Sequence, residues 1–168
     1  MKLHFSSPIG IILVEGTEKG ISKLVFLDEM TSQEKYSEEI NIENEIVSNS
    51  ANDEMTSQWQ NQLDGYFRRT LKSFDIELDL QGTEFQRRVW AELIKIPFGK
   101  TVTYKELTKK LGNIKAIRAV AAANGANPVS IIVPCHRVIG SDGSLTGYAG
   151  GLWRKQWLLD FERDDVLF

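Results

Sequence analysis

The chain changes texture at Gly82, and that change limits what it can fold into more than any other feature. Upstream, "KLHFSSPIGIILVEGTEKGISKLVFL" holds β-rich runs separated by Pro-Ile-Gly and by "GTEKG", the pattern of a short antiparallel meander that turns at its glycines. Downstream, Thr83 with Gln86 and Thr103 with Glu106 both match the capping box. There a hydroxyl and a side chain three residues on satisfy the orphan N–H groups of a first helical turn. Strands gathered in one half and helix starts in the other give an α+β chain. Its 168 residues suit two small domains, and the boundary falls between 1–81 and 82–168.

Within the first half, residues 31–52 are acidic, polar and poor in aromatics, and read as a loop or a weak surface segment. Met55, Trp59, Leu63 and Tyr66 then recur at helical spacing, which predicts one helix packed on the small sheet. "FDIELDL", residues 74–80, alternates with period two and fits an edge strand or an extended linker. In the second half, a helix over about 84–95 puts Phe85, Val89, Leu93 and Ile96 on one face, and "PFGK" stops it. A second helix over about 104–111 ends at Gly112, and Asn113 can cap a third built from "IKAIRAVAAANG". Two short helices joined by a tight Gly-Asn turn make a helix-turn-helix pattern. The small residues Ala116, Ala119, Ala121, Ala122 and Ala123 allow either a close approach to a surface or close helix–helix packing.

Charge sharpens that choice. The net charge of −3 hides an asymmetry. Residues 1–81 hold 7 Lys and Arg against 15 Asp and Glu, a net of −8, while residues 82–168 hold 13 against 8, a net of +5. A basic second half suits a polyanionic partner. Between residues 95 and 118, Lys95, Lys100, Lys105, Lys109, Lys110, Lys115 and Arg118 face only Glu106 as an opposing charge. No apolar run approaches the roughly 20 residues that span a bilayer, and "MKLHFSSPIG" lacks the apolar core of a signal peptide. No membrane association is expected, and a cytoplasmic location is the default.

The sole cysteine, Cys135, lies in "IIVPCHRVIG" beside His136, one of two histidines. One cysteine cannot form an internal disulfide, and with two histidines it cannot furnish a four-ligand structural zinc site. It is either a small buried hydrophobe or a reactive thiol. As a nucleophile it needs a base or a cation to favour its thiolate. Read as an extended strand, "IIVPCHRVIG" points Cys135 and His136 to opposite sides, so a water bridging the two is expected rather than direct contact.

"IIVPCHRVIG" resembles the active-site sequence of the O6-alkylguanine-DNA alkyltransferases, whose central motif is Pro-Cys-His-Arg-Val. "FQRRVW", "TYKEL", "AIRAVAAANGANP" and "GYAGGLWRKQWLLDFE" look like the same family's pieces in its order and spacing. The resemblance covers residues 82–163 well and the first 80 in outline. It implies a ribonuclease H-like N-terminal sheet with a packed helix, then a mainly helical C-terminal domain with a winged helix-turn-helix. The implied activity is direct-reversal DNA repair: O6-alkylguanine, with O4-methylthymine as a second substrate, is flipped from duplex DNA and its alkyl group moves irreversibly to Cys135, once per molecule. The implied catalytic set is Cys135 as acceptor, His136 oriented by Glu162, Tyr104 as donor to the leaving base, and Asn127 tying the recognition helix to the active-site turn. Arg118 takes the intercalating position. Tyr104, Lys115, Ala119 and Ala123 join it at the DNA, and Val138, Tyr148, Ala149 and Gly150 line the base pocket. Double-stranded DNA carrying the lesion is the expected partner of a monomer that uses no cofactor and no metal. Three rivals stand beside this reading. A helix-turn-helix regulator would use the same basic helix pair and would not need Cys135; a binding-only relative would recognise alkylated DNA without repairing it; a cysteine hydrolase would turn over.

Overall fold

The structure is a computed structural model that describes residues 1–29 and 53–163. The stretch 31–52, expected as a loop or weak surface segment, lies outside the described residues. The chain divides into two compact units, Met1–Asp79 and Leu80–Phe168.

In the first unit, β1 (Lys2–Ser7), β2 (Gly10–Thr17) and β3 (Gly20–Phe26) form an antiparallel sheet in the order β1-β2-β3. Leu3 sits opposite Val14, and Leu13 opposite Val25. Helix α1 (Asp53–Phe67) packs against β1. Its apolar stripe buries Trp59, Leu63 and Tyr66, and Phe67 stacks on Phe5 with ring centroids 5.8 Å apart. Gly16 stands at a register shift in β2, where a Cβ would come within 2.5 Å of the Trp59 ring. The absent side chain is what lets the tryptophan seat. Residues 74–80 form neither reading in full: apart from one isolated bridge at Leu78 they carry no strand. Ile21 N–H donates to Glu77 O at 2.9 Å, and Asp79 N–H to Ile21 O at 2.8 Å, a single parallel bridge beside β3.

The second unit is mainly helical. Both capping boxes form, so α2 (Glu84–Ile94) starts at Thr83 and α3 (Tyr104–Lys110) at Thr103. Helix α2 buries Val89, Trp90 and Leu93, and Trp90 Nε1 donates to Ala123 O at 2.8 Å, joining it to α4 (Ile117–Gly125). Helix α3 closes at Leu111, and Gly112 follows with φ of 90°. Asn113 accepts from Lys115 N–H, but what it caps is a 3-10 turn over Ile114–Ala116 rather than α4 itself. Strand β4 (Val102–Thr103) pairs in parallel with β5 (Val138–Ile139), and α5 (Leu152–Glu162) completes the unit. Among the described residues, no helix is long and apolar enough to cross a membrane.

Candidate active site

Every residue from Val129 to Val138 is buried, in a segment that is not the extended strand its β-branched residues suggest. Its backbone groups bond locally: Ile132 N–H to Ser130 O at 2.8 Å, Val133 to Val129 at 3.0 Å, and Cys135 to Val133 at 2.8 Å. A 3-10 turn, Cys135–Arg137, follows and leads into β5. β-Branching misled here because these turn-forming backbone bonds and the Asn127 side chain override the strand preference. Ile131 has φ of 70°, a left-handed conformation that is costly for a β-branched residue and persists only where surroundings dictate it. Asn127 supplies part of that constraint. Its Nδ2 donates to Val133 O at 2.7 Å and its Oδ1 accepts from Val129 N–H at 3.0 Å. The side chain thus clamps the end of α4 to the turn that carries Cys135.

The 3-10 turn sends successive side chains about a third of a revolution apart, so Cys135 and His136 diverge despite being adjacent. His136 is fully buried, and its Nε2 lies 2.7 Å from Glu162 Oε1. A carboxylate only accepts, so this contact assigns the ring proton to Nε2 and leaves Nδ1 as a bare lone pair. Nδ1 is itself buried without a protein partner among the described residues. Arg137 completes the cluster. Its Nε donates to Glu162 Oε2 at 2.8 Å, its Nη2 to Oε1 at 2.9 Å, and its Nη1 to Ile96 O at 2.6 Å. Burial opposes charge on Glu162, but the His136 ring and the Arg137 guanidinium outweigh it and hold the carboxyl well below the usual carboxylate range. Burial pushes His136 below its ordinary value despite Glu162, and Arg137 and Lys155 add to that. The arrangement is a neutral imidazole held by a carboxylate whose charge the guanidinium already balances. Gly99, with φ of 77°, makes room: a Cβ there would lie 2.8 Å from Glu162 O.

Cys135 is 6% exposed. Lys155 on α5 is buried, and desolvation lowers its pKa, an effect that the neighbouring Cys135 partly offsets. Lys155 Nζ donates to Thr146 O at 3.0 Å and lies 5.8 Å from the Tyr104 ring centroid. Tyr104 Oη donates to the same Thr146 O at 3.1 Å.

Beside this cluster, Tyr104, Ile117, Arg118, Ala121, Gly125, Thr146 and Gly147 line a groove of about 420 Å³. Tyr104, at the first position of α3, and Arg118, on the exposed face of α4, thus meet at one opening. Lys115 and Ala119 are exposed on the same helical segment. Ala123 is not: it is 3% exposed, and its backbone O accepts from Trp90 Nε1 on α2. Val138 is fully buried within the β4–β5 pair. Tyr148 is half-buried, Ala149 exposed and Gly150 buried, and the groove's lining includes none of these four. Arg154, also buried, donates to Gly150 O at 2.9 Å and lies 4.5 Å from the Trp153 ring centroid, bracing this loop.

Arg137 and Lys155 escaped the sequence reading. For Lys155 the signal was present: Lys155, Leu158 and Glu162 recur at i, i+3 and i+7, one face of α5, and all three are buried. For Arg137 no local pattern could reveal that its fork closes on a carboxylate 25 residues away.

Family models match nearly the whole chain: residues 3–80 fit the ribonuclease-like domain, and residues 84–164 the DNA-binding domain, of 6-O-methylguanine DNA methyltransferase. The methylated-DNA--protein-cysteine methyltransferase of Methanosarcina mazei is 48% identical over 160 residues, 95% of each chain. The crystal structure of Mycobacterium tuberculosis O6-methylguanine methyltransferase superposes with a TM-score of 0.81 at 39% identity, covering 99% of this chain and 94% of that one. Mycobacterium tuberculosis OGT in complex with DNA gives 0.77 at 40% identity, covering 95% and 91%. With a buried thiol beside a carboxylate-anchored imidazole and a match along both units, the chain belongs to the 6-O-methylguanine DNA methyltransferase family.

Proposed function

We propose that this protein repairs duplex DNA by direct reversal, taking the alkyl group from O6-alkylguanine onto Cys135 as a monomer that acts once, with O4-methylthymine as a second substrate. The observation that carries this reading is the buried run of Cys135, His136, Arg137 and Glu162, in which the chain's only thiol stands next to a neutral, oriented imidazole. His136 Nδ1 takes the thiol proton through a bridging water, since the two side chains diverge. The thiolate sulfur then attacks the alkyl carbon, the carbon–oxygen bond breaks, and its electron pair leaves on the guanine. Tyr104 gives that anion its proton, and solvent restores the tyrosine. The product thioether has no internal route back to a thiol.

A base inside a duplex cannot reach Cys135, so the nucleotide rotates out toward the groove between Tyr104 and Arg118. Arg118 makes no ion pair among the described residues, which leaves its guanidinium available to fill the gap in the base stack. Val138, Tyr148, Ala149 and Gly150 accept the flipped base. Quantifying labelled methyl transferred from O6-methylguanine DNA per protein molecule tests the reading. One equivalent on wild type, none on Cys135→Ala and unchanged DNA binding by that variant are expected. Binding of alkylated DNA without transfer by the wild type would instead favour a recognition-only protein, and repeated turnover a hydrolase.

A further inference from the structure

Asn124 is a buried amide with no packing reason to be one. It lies on α4 between the groove-lining residues Ala121 and Gly125 and is 2% exposed. Its Nδ2 points at Tyr104 Oη, 3.5 Å away, while its Oδ1 is buried without a protein partner among the described residues. An interior site that served packing alone would be better filled by leucine, because a buried unsatisfied oxygen is costly. The contact to Tyr104 is therefore where its use lies.

The hydrogen bonds around Tyr104 show what that use is. The phenol has one proton, which points at Thr146 O. For that proton to reach a departing base, the O–H must swing away while the oxygen stays in place. Thr146 O is not orphaned by the swing, since Lys155 Nζ also donates to it. An N–H aimed at the phenol's lone pair fixes the oxygen without competing for its proton, and it faces the negative charge that appears once the proton has gone. A long contact of this kind in the free protein is of the sort that tightens when the site is filled.

We propose that Asn124 is a positioning residue for the proton-transfer half of the reaction: its Nδ2–H holds Tyr104 Oη in place and stabilises the tyrosinate left when the proton passes to the guanine anion. This rests on the reading of Tyr104 as the proton donor. Atoms balance: tyrosine and guanine anion give tyrosinate and guanine, and water then reprotonates the tyrosinate.

Single-turnover transfer from O6-methylguanine duplex DNA, measured for wild type, Asn124→Leu, Tyr104→Phe and the double variant, tests it. Asn124→Leu should slow transfer roughly three- to tenfold, the worth of one hydrogen bond, and add nothing in the Tyr104→Phe background. Alkylation of Cys135 by iodoacetamide, followed by mass spectrometry, should keep its wild-type rate, because iodide leaves without a proton. The melting temperature should hold or rise. A loss of equal size in both backgrounds, an equal loss with iodoacetamide, or no loss while Tyr104→Phe is slow would each overturn the role of Asn124. Tyr104→Phe reacting at the wild-type rate would overturn the Tyr104 reading and this proposal with it. Asn124→Met, of similar volume, repeats the test should the leucine variant fold poorly.

Discussion

The turn that carries Cys135 and the helix pair that carries Arg118 handle charge in opposite ways. In the first, His136, Arg137 and Glu162 are all buried, and every formal charge meets its partner within 3 Å. In the second, Lys105, Lys109, Lys110, Lys115 and Arg118 are exposed; among the described residues, Lys95 alone of the basic run pairs with an acid, Glu92 at 2.7 Å. A buried charge must be compensated inside the protein, because its desolvation cannot be recovered from anything that arrives later. An exposed cation can wait for a phosphate and the counterions it releases. The chemistry is therefore prepaid in the fold, while recognition is completed by the partner.

The largest test breaks the buried half. Glu162→Gln leaves the Arg137 guanidinium buried without its counter-charge, so stability should fall by about 3–5 kcal/mol, visible in denaturant midpoints, and transfer should slow as His136 loses its anchor. Arg118→Ala in the exposed half should instead cost no stability. It should slow repair of duplex DNA by roughly tenfold or more, the equivalent of about 1–3 kcal/mol for one lost stacking partner, yet leave reaction with free O6-benzylguanine unchanged. Equal losses on both substrates would make Arg118 structural.

Methylation of Cys135 reaches from one half toward the other. An added carbon in a filled site typically costs about 1–3 kcal/mol, and Asn127 links the turn to the end of α4. The spent protein should melt below the fresh one and hold DNA no more tightly; an unchanged or higher melting temperature would show that the pocket absorbs the methyl.

The smallest effect is that of pH. His136 has its folded pKa lowered from 6.5, so as pH falls below 6.5 the unfolded chain takes up a proton that the folded one refuses. Stability therefore declines in that window, by at most about 1.4 kcal/mol per pH unit. Glu162, lowered from 4.5, adds a further loss as pH falls through that value. The transfer rate should stay level from neutrality to below 6.5, where the imidazole is still a base. A rate that halves near 6.5 would mean that His136 is not held neutral.

Much of this was legible in one dimension, for reasons that are local. The meander, the α1 stripe of Trp59, Leu63 and Tyr66, and both capping boxes depend on contacts within a few residues, and they formed as read. The Cys135 segment did not, because "IIVP" has the propensity of a strand, while Asn127 and the local backbone bonds impose turns on it. Ala123 carried no mark to tell it from Ala119. Which alanine of a short helix is covered depends on where its neighbours lie: Ala123 is 3% exposed while Ala119 is exposed.

By itself the sequence determined the order and kind of the elements, the solitary thiol and its histidine, and the basic character of the second half, all of them properties of residue type and short spacing. Only the tertiary structure decided that Arg137 and His136 share one carboxylate, that Lys155 is buried, and that Asn124 aims at Tyr104. The contacts among these run across 20 to 26 residues, and no local rule fixes them. They exist because burying one charged or polar group forces the chain to bring it a partner, wherever in the sequence that partner stands.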